Sequence, residues 1–145
     1  TRLIGGKTDI IMMLNGALAG LVAITAEPLS PTPGLAIVIG SIGSLIMYFG
    51  TKMLESFGLD DVVGAIPVHM FAGIFGTLVV PVSNPDTAFG TQLIGTISVC
   101  AFSFVLSYAL FTALKTTVGL RISKAAEKQG TDKAEIGVTA YSIRD

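Results

Sequence analysis

Four apolar runs, separated by short polar or proline-rich stretches, dominate the chain and leave little room for a water-soluble fold. From Ile10 to Ala26 every residue is apolar or small except Asn15 and Thr25. Glu27-Pro28-Leu29-Ser30-Pro31-Thr32-Pro33 then interrupts, because three prolines so close together cannot continue a helix. The second run covers residues 34–50, the third 62–80 and the fourth 88–114. At about 1.5 Å per residue, runs of this length match a bilayer core of about 30 Å. The fourth is longer than needed, so it is expected to tilt or project beyond the membrane. Composition agrees: 51% of the 145 residues are hydrophobic and 13% charged, with 17 glycines and no tryptophan. The expected fold class is an all-α membrane protein with four transmembrane helices. Residues 1–119 form the transmembrane portion and residues 120–145 a polar tail.

Charge placement orients these spans. Four crossings put the N-terminus, the 51–61 connection and the C-terminus on one side. All nine basic residues fall there: Arg2, Lys7, Lys52, Lys115, Arg121, Lys124, Lys128, Lys133 and Arg144. The opposite loops, 27–33 and 81–87, carry none. The positive-inside rule then makes both termini cytoplasmic. The charged lead carries no small-residue cleavage site, so no signal peptide is read. The first residue, Thr1, suggests part of a longer or processed chain.

One residue stands out chemically. His69, the sole histidine, lies in the third apolar run behind Asp60 and Asp61. An ionisable group at membrane depth is costly and is read as functional by default. A helix over 62–80 places His69 about 10 Å from its cytoplasmic start, in a row with Val62, Ala65, Ala72, Gly73 and Gly76. Small neighbours let a second backbone or a small permeant approach the imidazole, which can accept one hydrogen bond and donate another. The alternative is a buried histidine that only bonds a neighbouring helix. Pro67 frees a backbone carbonyl and is expected to bend the helix near His69. Asp60 and Asp61 read as N-terminal caps. Gly16 and Gly20 form a GxxxG packing face, with Asn15 beside it as an interhelical donor. Cys100, the one cysteine, reads as a small packing residue. No span holds a carboxylate or a second histidine, so no metal site, catalytic dyad or cofactor is expected, and no nucleic-acid partner. This is not the residue inventory of an enzyme.

Several blocks resemble the ammonium transporter (Amt/MEP/Rh) family. Asn15-Gly-Ala-Leu-Ala-Gly-Leu-Val-Ala-Ile-Thr25 is similar to its NGxLAGLVAIT signature. Asp60-Asp61, Val68-His69 and Gly73-Ile-Phe-Gly76-Thr-Leu resemble its DD…VH…GIxGTL helix. Thr117-Val-Gly-Leu-Arg-Ile-Ser123 resembles the junction into its tail, and Gly130-Thr-Asp132, Glu135-Ile-Gly137 and Ala140-Tyr141 resemble the tail itself. Met70, Thr131 and Ile136 depart from the family's usual glycine, leucine and histidine.

The resemblance implies an eleven-helix, inverted-repeat fold assembled as a homotrimer, each protomer with its own narrow hydrophobic pore. This chain would supply the last four helices and depend on the missing N-terminal helices of the same protein. His69 matches one of two pore histidines that hold ammonium or ammonia at mid-membrane. Asp61 matches a structural carboxylate near the start of that helix. The location implied is the plasma (inner) membrane, and the tail implies a PII signal protein as a further partner. Two other readings stay open: an ammonium sensor of the same family, and a truncated, non-conducting piece.

Overall fold

The computed structural model describes residue 6 and residues 8–140. Arg2, Lys7, Tyr141 and Arg144, named above, lie outside the described residues. Helices account for the ordered structure, and no strand occurs among the described residues. Helix α1 is Ile10–Ile24 and α2 is Pro33–Ser56. The third helix opens as a π-helical segment, Ile66–Phe71, and continues as α3, Ala72–Ser83. Helix α4 is Phe89–Thr117 and α5 is Lys124–Gln129, followed by a π turn at Asp132–Ile136. Three helices are long and apolar enough to cross a membrane: Pro33–Ser56, Ile66–Ser83 and Phe89–Thr117. With 15 residues, α1 is shorter. It rises about 22 Å, less than a bilayer core.

The helix ends differ from the limits of the apolar runs for local reasons. The Asp9 side chain accepts from the Met12 amide at 3.0 Å and starts α1; Thr25 ends it, bonding the Val22 carbonyl through its hydroxyl at 2.7 Å. In α2, Thr32 caps the Leu35 amide and Pro33 supplies a preset first turn. The polar stretch expected to be a connection from residue 51 is helical through Ser56. Polarity does not break a helix, and Lys52 and Glu55 pair across one turn at 2.9 Å. The break comes at Gly58, with φ of 69°. The third helix runs past Pro81 to Ser83, where the Asn84 amide closes it on the Val80 carbonyl. Membrane helices tolerate such an internal proline.

The chain divides into two compact units, Thr1–Cys100 and Ala101–Asp145, with the boundary inside α4. In the first unit, α1, α2 and the third helix meet through small residues. A Cβ added to Gly20 would lie 3.1 Å from the Gly40 carbonyl oxygen, so α1 and α2 cross backbone to backbone. Ala23 of α1, 1% exposed, is gripped from both sides. A Cβ on Gly43 would meet its Cβ at 2.6 Å, and one on Gly76 would meet its Cα at 2.9 Å. Ser44 donates to the Gly16 carbonyl at 2.7 Å, and Ala19, Met47, Val68 and Ala72 form the buried cluster. The glycine-rich face read in α1 therefore does pack a helix. Between the turns after α1 and α3, Asn84 donates to the Glu27 carboxylate at 3.0 Å.

Outward-facing Leu21, Ile37 and Phe49 are each more than half exposed. A soluble monomer rarely exposes apolar surface on this scale, whereas lipid or further protein in a bilayer covers it. Lipid is as apolar as leucine, so helix association there relies on close backbone approach, which these glycines supply.

In the second unit, Gly119 turns the chain with φ of 86°, its amide bonding the Leu114 carbonyl at 2.9 Å. Ser123 caps the Ala126 amide to start α5. Asp132 organises the end of the tail, its carboxylate accepting from the Ala140 amide at 2.9 Å. That bond, reinforced by Lys133, holds the Asp132 carboxyl below the usual carboxylate range. A depressed value contributes order above the unfolded value and loses it as pH falls through the folded one.

Two outcomes follow. Gly43→Val in the intact protein should lower its thermal unfolding midpoint, at a cost of about 1–3 kcal/mol for overpacking. Gly34→Ala, where a Cβ would meet nothing within 4 Å, should not lower that midpoint. In the tail, Asp132→Asn should raise amide exchange at Ala140 at neutral pH, and the wild-type amide should approach that rate only below about pH 3.9.

Candidate functional site

The third helix begins later than the hydropathy limits imply, and its start determines where His69 lies. Gly64 adopts φ of 72° and ends any regular winding from Val62. A Cβ there would also sit 2.6 Å from the Asn15 side-chain nitrogen, so Gly64 fits on both grounds. Pro67 then occupies the first turn without an N–H to give.

The polar groups of this start are satisfied one by one. The Asp61 carboxylate accepts from the Ala65 amide at 2.9 Å through one oxygen and from the Ile66 amide at 2.8 Å through the other. The Gly64 amide bonds the Asp61 carbonyl at 3.1 Å, and the Val68 amide bonds the Gly64 carbonyl at 3.1 Å. The Val63 carbonyl, four residues before Pro67, is the acceptor that a position-67 N–H would have reached. Asn15 of α1 donates to it at 2.9 Å instead. Asp61 is thus a bidentate cap, and Asn15 bonds the loop preceding the helix, not a helix interior.

Removing the proline N–H also loosens the winding. The Ala72 amide reaches back to the carbonyls of both His69 and Pro67, three and five residues earlier. This π segment turns less per residue than an α-helix, and such segments recur at functional sites. His69 lies within it. Pro67 and Val68 are buried, Val68 against Ala19 and Met47, while the His69 and Met70 side chains are exposed.

This corrects the expected small-residue row. Val62 precedes the helix, and Ala72 and Gly76 are buried, with Gly76 against α1. Gly73 makes only an ordinary contact with Val22. The imidazole instead shares the outward side with Ala65, Ile66 and Met70. Nor is His69 about 10 Å into the helix: it is the fourth helical residue after Ala65. No side chain among the described residues hydrogen-bonds its ring, and no group of three His, Cys, Asp or Glu residues that could hold a metal occurs among them. Asp60 makes none of these capping bonds; it lines a cavity of about 180 Å³ with Thr51, Glu55 and Asp61. Sequence reasoning missed Gly64 and the Asn15–Val63 bond. The signal was Pro67, whose missing N–H leaves a carbonyl to be satisfied.

Helices this long and apolar, with large aliphatic side chains exposed on their outward faces, define an integral membrane protein. The Ammonium Transporter Family model matches residues 1–141. The ammonium transporter Amt2 of Archaeoglobus fulgidus is 40% identical, over 97% of this chain and 34% of its own length. Amt1 of Haloferax mediterranei is 36% identical over 94% of this chain and 27% of its own length. Ammonium transporter 1 of Schizosaccharomyces pombe is 31% identical over 94% and 32%. The chain belongs to the Ammonium Transporter Family, and it spans about a third of the length of the curated relatives it matches.

Asn15→Ala should strand the Val63 carbonyl and cost the intact protein about 1–3 kcal/mol, read as a lower unfolding midpoint. Asp61→Ala should cost about as much by losing both caps, with Asp61→Asn intermediate.

Proposed function

We propose that this chain is the C-terminal part of a protein that conducts ammonium or ammonia across a membrane, with His69 lining the conduction path. The observation that carries the reading is the placement of His69. The helix start beneath it is fully hydrogen-bonded, yet the imidazole is exposed on an apolar side and has no side-chain partner among the described residues. A membrane protein does not leave such a group facing lipid without cost, so the rest of the protein covers it. A second imidazole contributed from outside this chain completes the path.

A bare cation in an apolar channel is expensive. The permeant therefore crosses neutralised, or is handed between hydrogen-bonding groups. A neutral imidazole can accept from an N–H of the permeant at one nitrogen and donate from the other. Asp61 keeps a supporting role, because both its oxygens are engaged by backbone amides. Three identical protomers, each with its own path, complete the assembly in the plasma (inner) membrane. The basic connections and tail face the cytoplasm, where a PII signal protein would meet them.

The test uses the full-length protein. His69→Ala should abolish or reduce methylammonium uptake at least tenfold while the unfolding midpoint and oligomeric state stay as in wild type. Unchanged uptake by a folded variant would reject the pore role.

A further inference from the structure

The basic residues of the second unit have a use beyond setting orientation. Lys115 is the first charged residue after Asp86, and it stands in the last turn of α4. The apolar run ends with Leu114, so Lys115 falls at the level of the lipid headgroups. The Gly119 turn then folds the chain so that Leu120 and Arg121 line one concavity of about 440 Å³ with Lys115.

Both cations are available there. Lys115 makes no ion pair among the described residues, and Arg121 meets Glu127 only at 3.6 Å with its side chain 85% exposed. Between residues 115 and 130 stand four basic residues, Lys115, Arg121, Lys124 and Lys128, against the single acid Glu127. Beside the cations, Val118 is 82% exposed and Leu120 49%. Cations flanked by exposed aliphatic side chains at the end of a membrane helix match an anionic headgroup with its adjoining acyl chain. An acidic protein surface would leave the aliphatic groups without a partner.

We propose that Lys115 and Arg121, with Leu120 between them, bind the phosphodiester of an anionic phospholipid at the cytoplasmic foot of α4. The guanidinium bonds the phosphate oxygens in a fork, the ammonium adds a second charge, and Leu120 lies against the glycerol and upper acyl carbons. This rests on α4 spanning the membrane with its basic end inside, not on what the protein transports.

The full-length protein in neutral detergent, titrated with phosphatidylglycerol or phosphatidylcholine and read by native mass spectrometry, tests it. Juxtamembrane basic residues contribute about fivefold each to anionic-lipid binding. Lys115→Gln and Arg121→Gln should each weaken phosphatidylglycerol binding about fivefold, and the double variant about 25-fold. Phosphatidylcholine binding should not change, and the Lys115→Arg/Arg121→Lys pair should retain affinity. Undiminished phosphatidylglycerol binding in the double variant would overturn the proposal, as would an equal loss for phosphatidylcholine. Full displacement by millimolar inorganic phosphate would make the ligand a free anion and also overturn it. Methylammonium uptake does not enter this readout, so its outcome and that of the transport reading are separable.

Discussion

The start of a helix leaves backbone groups without intrahelical partners, and each must find one elsewhere. The third helix does this with three residues. Pro67 brings no N–H to the first turn, Asp61 takes two of the amides that remain, and Asn15 reaches across from α1 to the one carbonyl left over. Each of these bonds is local to the start, yet the Asn15 bond ties α1 to the loop and so couples this chemistry to the helix packing. The irregular residues 60–65 can then lie against protein without an unsatisfied polar group dominating their energy.

The same start sets the direction of His69. With the α-helical ladder interrupted at Pro67, the backbone winds as a π segment, and His69 falls outside the row that ordinary helical spacing assigns to it. Val68 and Ala72 take the inward side against Ala19 and Met47, and the imidazole is left outward. The close approach of α1, α2 and α3 at Gly43, Ala23 and Gly76 makes that arrangement stiff, because no side chain there has room to reorient. A close three-helix contact thus presents one imidazole on an apolar face.

Much of this was legible in the residues alone. Apolar length identified membrane helices, and Gly16 and Gly20 marked a packing face that the structure uses against α2. Asp61 was legible as a cap because a carboxylate just ahead of an apolar run suits the amides of a helix start. The winding was not legible. Hydropathy reports which residues avoid water, not how many make a turn, so Val62, Ala72 and Gly76 looked like members of the His69 face. Helix ends were also blurred: Lys52 and Glu55 read as a polar connection although they pair within α2. The position of Pro67 held the information, but only a search for the partner of the Val63 carbonyl brings it out.

The central claim is that the Asp61–Asn15–Pro67 start is fully hydrogen-bonded and holds His69 in place. Hydrogen–deuterium exchange of the full-length protein in lipid nanodiscs, resolved over residues 60–72, tests it most directly. The Ala65, Ile66 and Val68 amides should exchange as slowly as those in the middle of α2. Exchange at the rate of an open loop at these three positions would contradict the account.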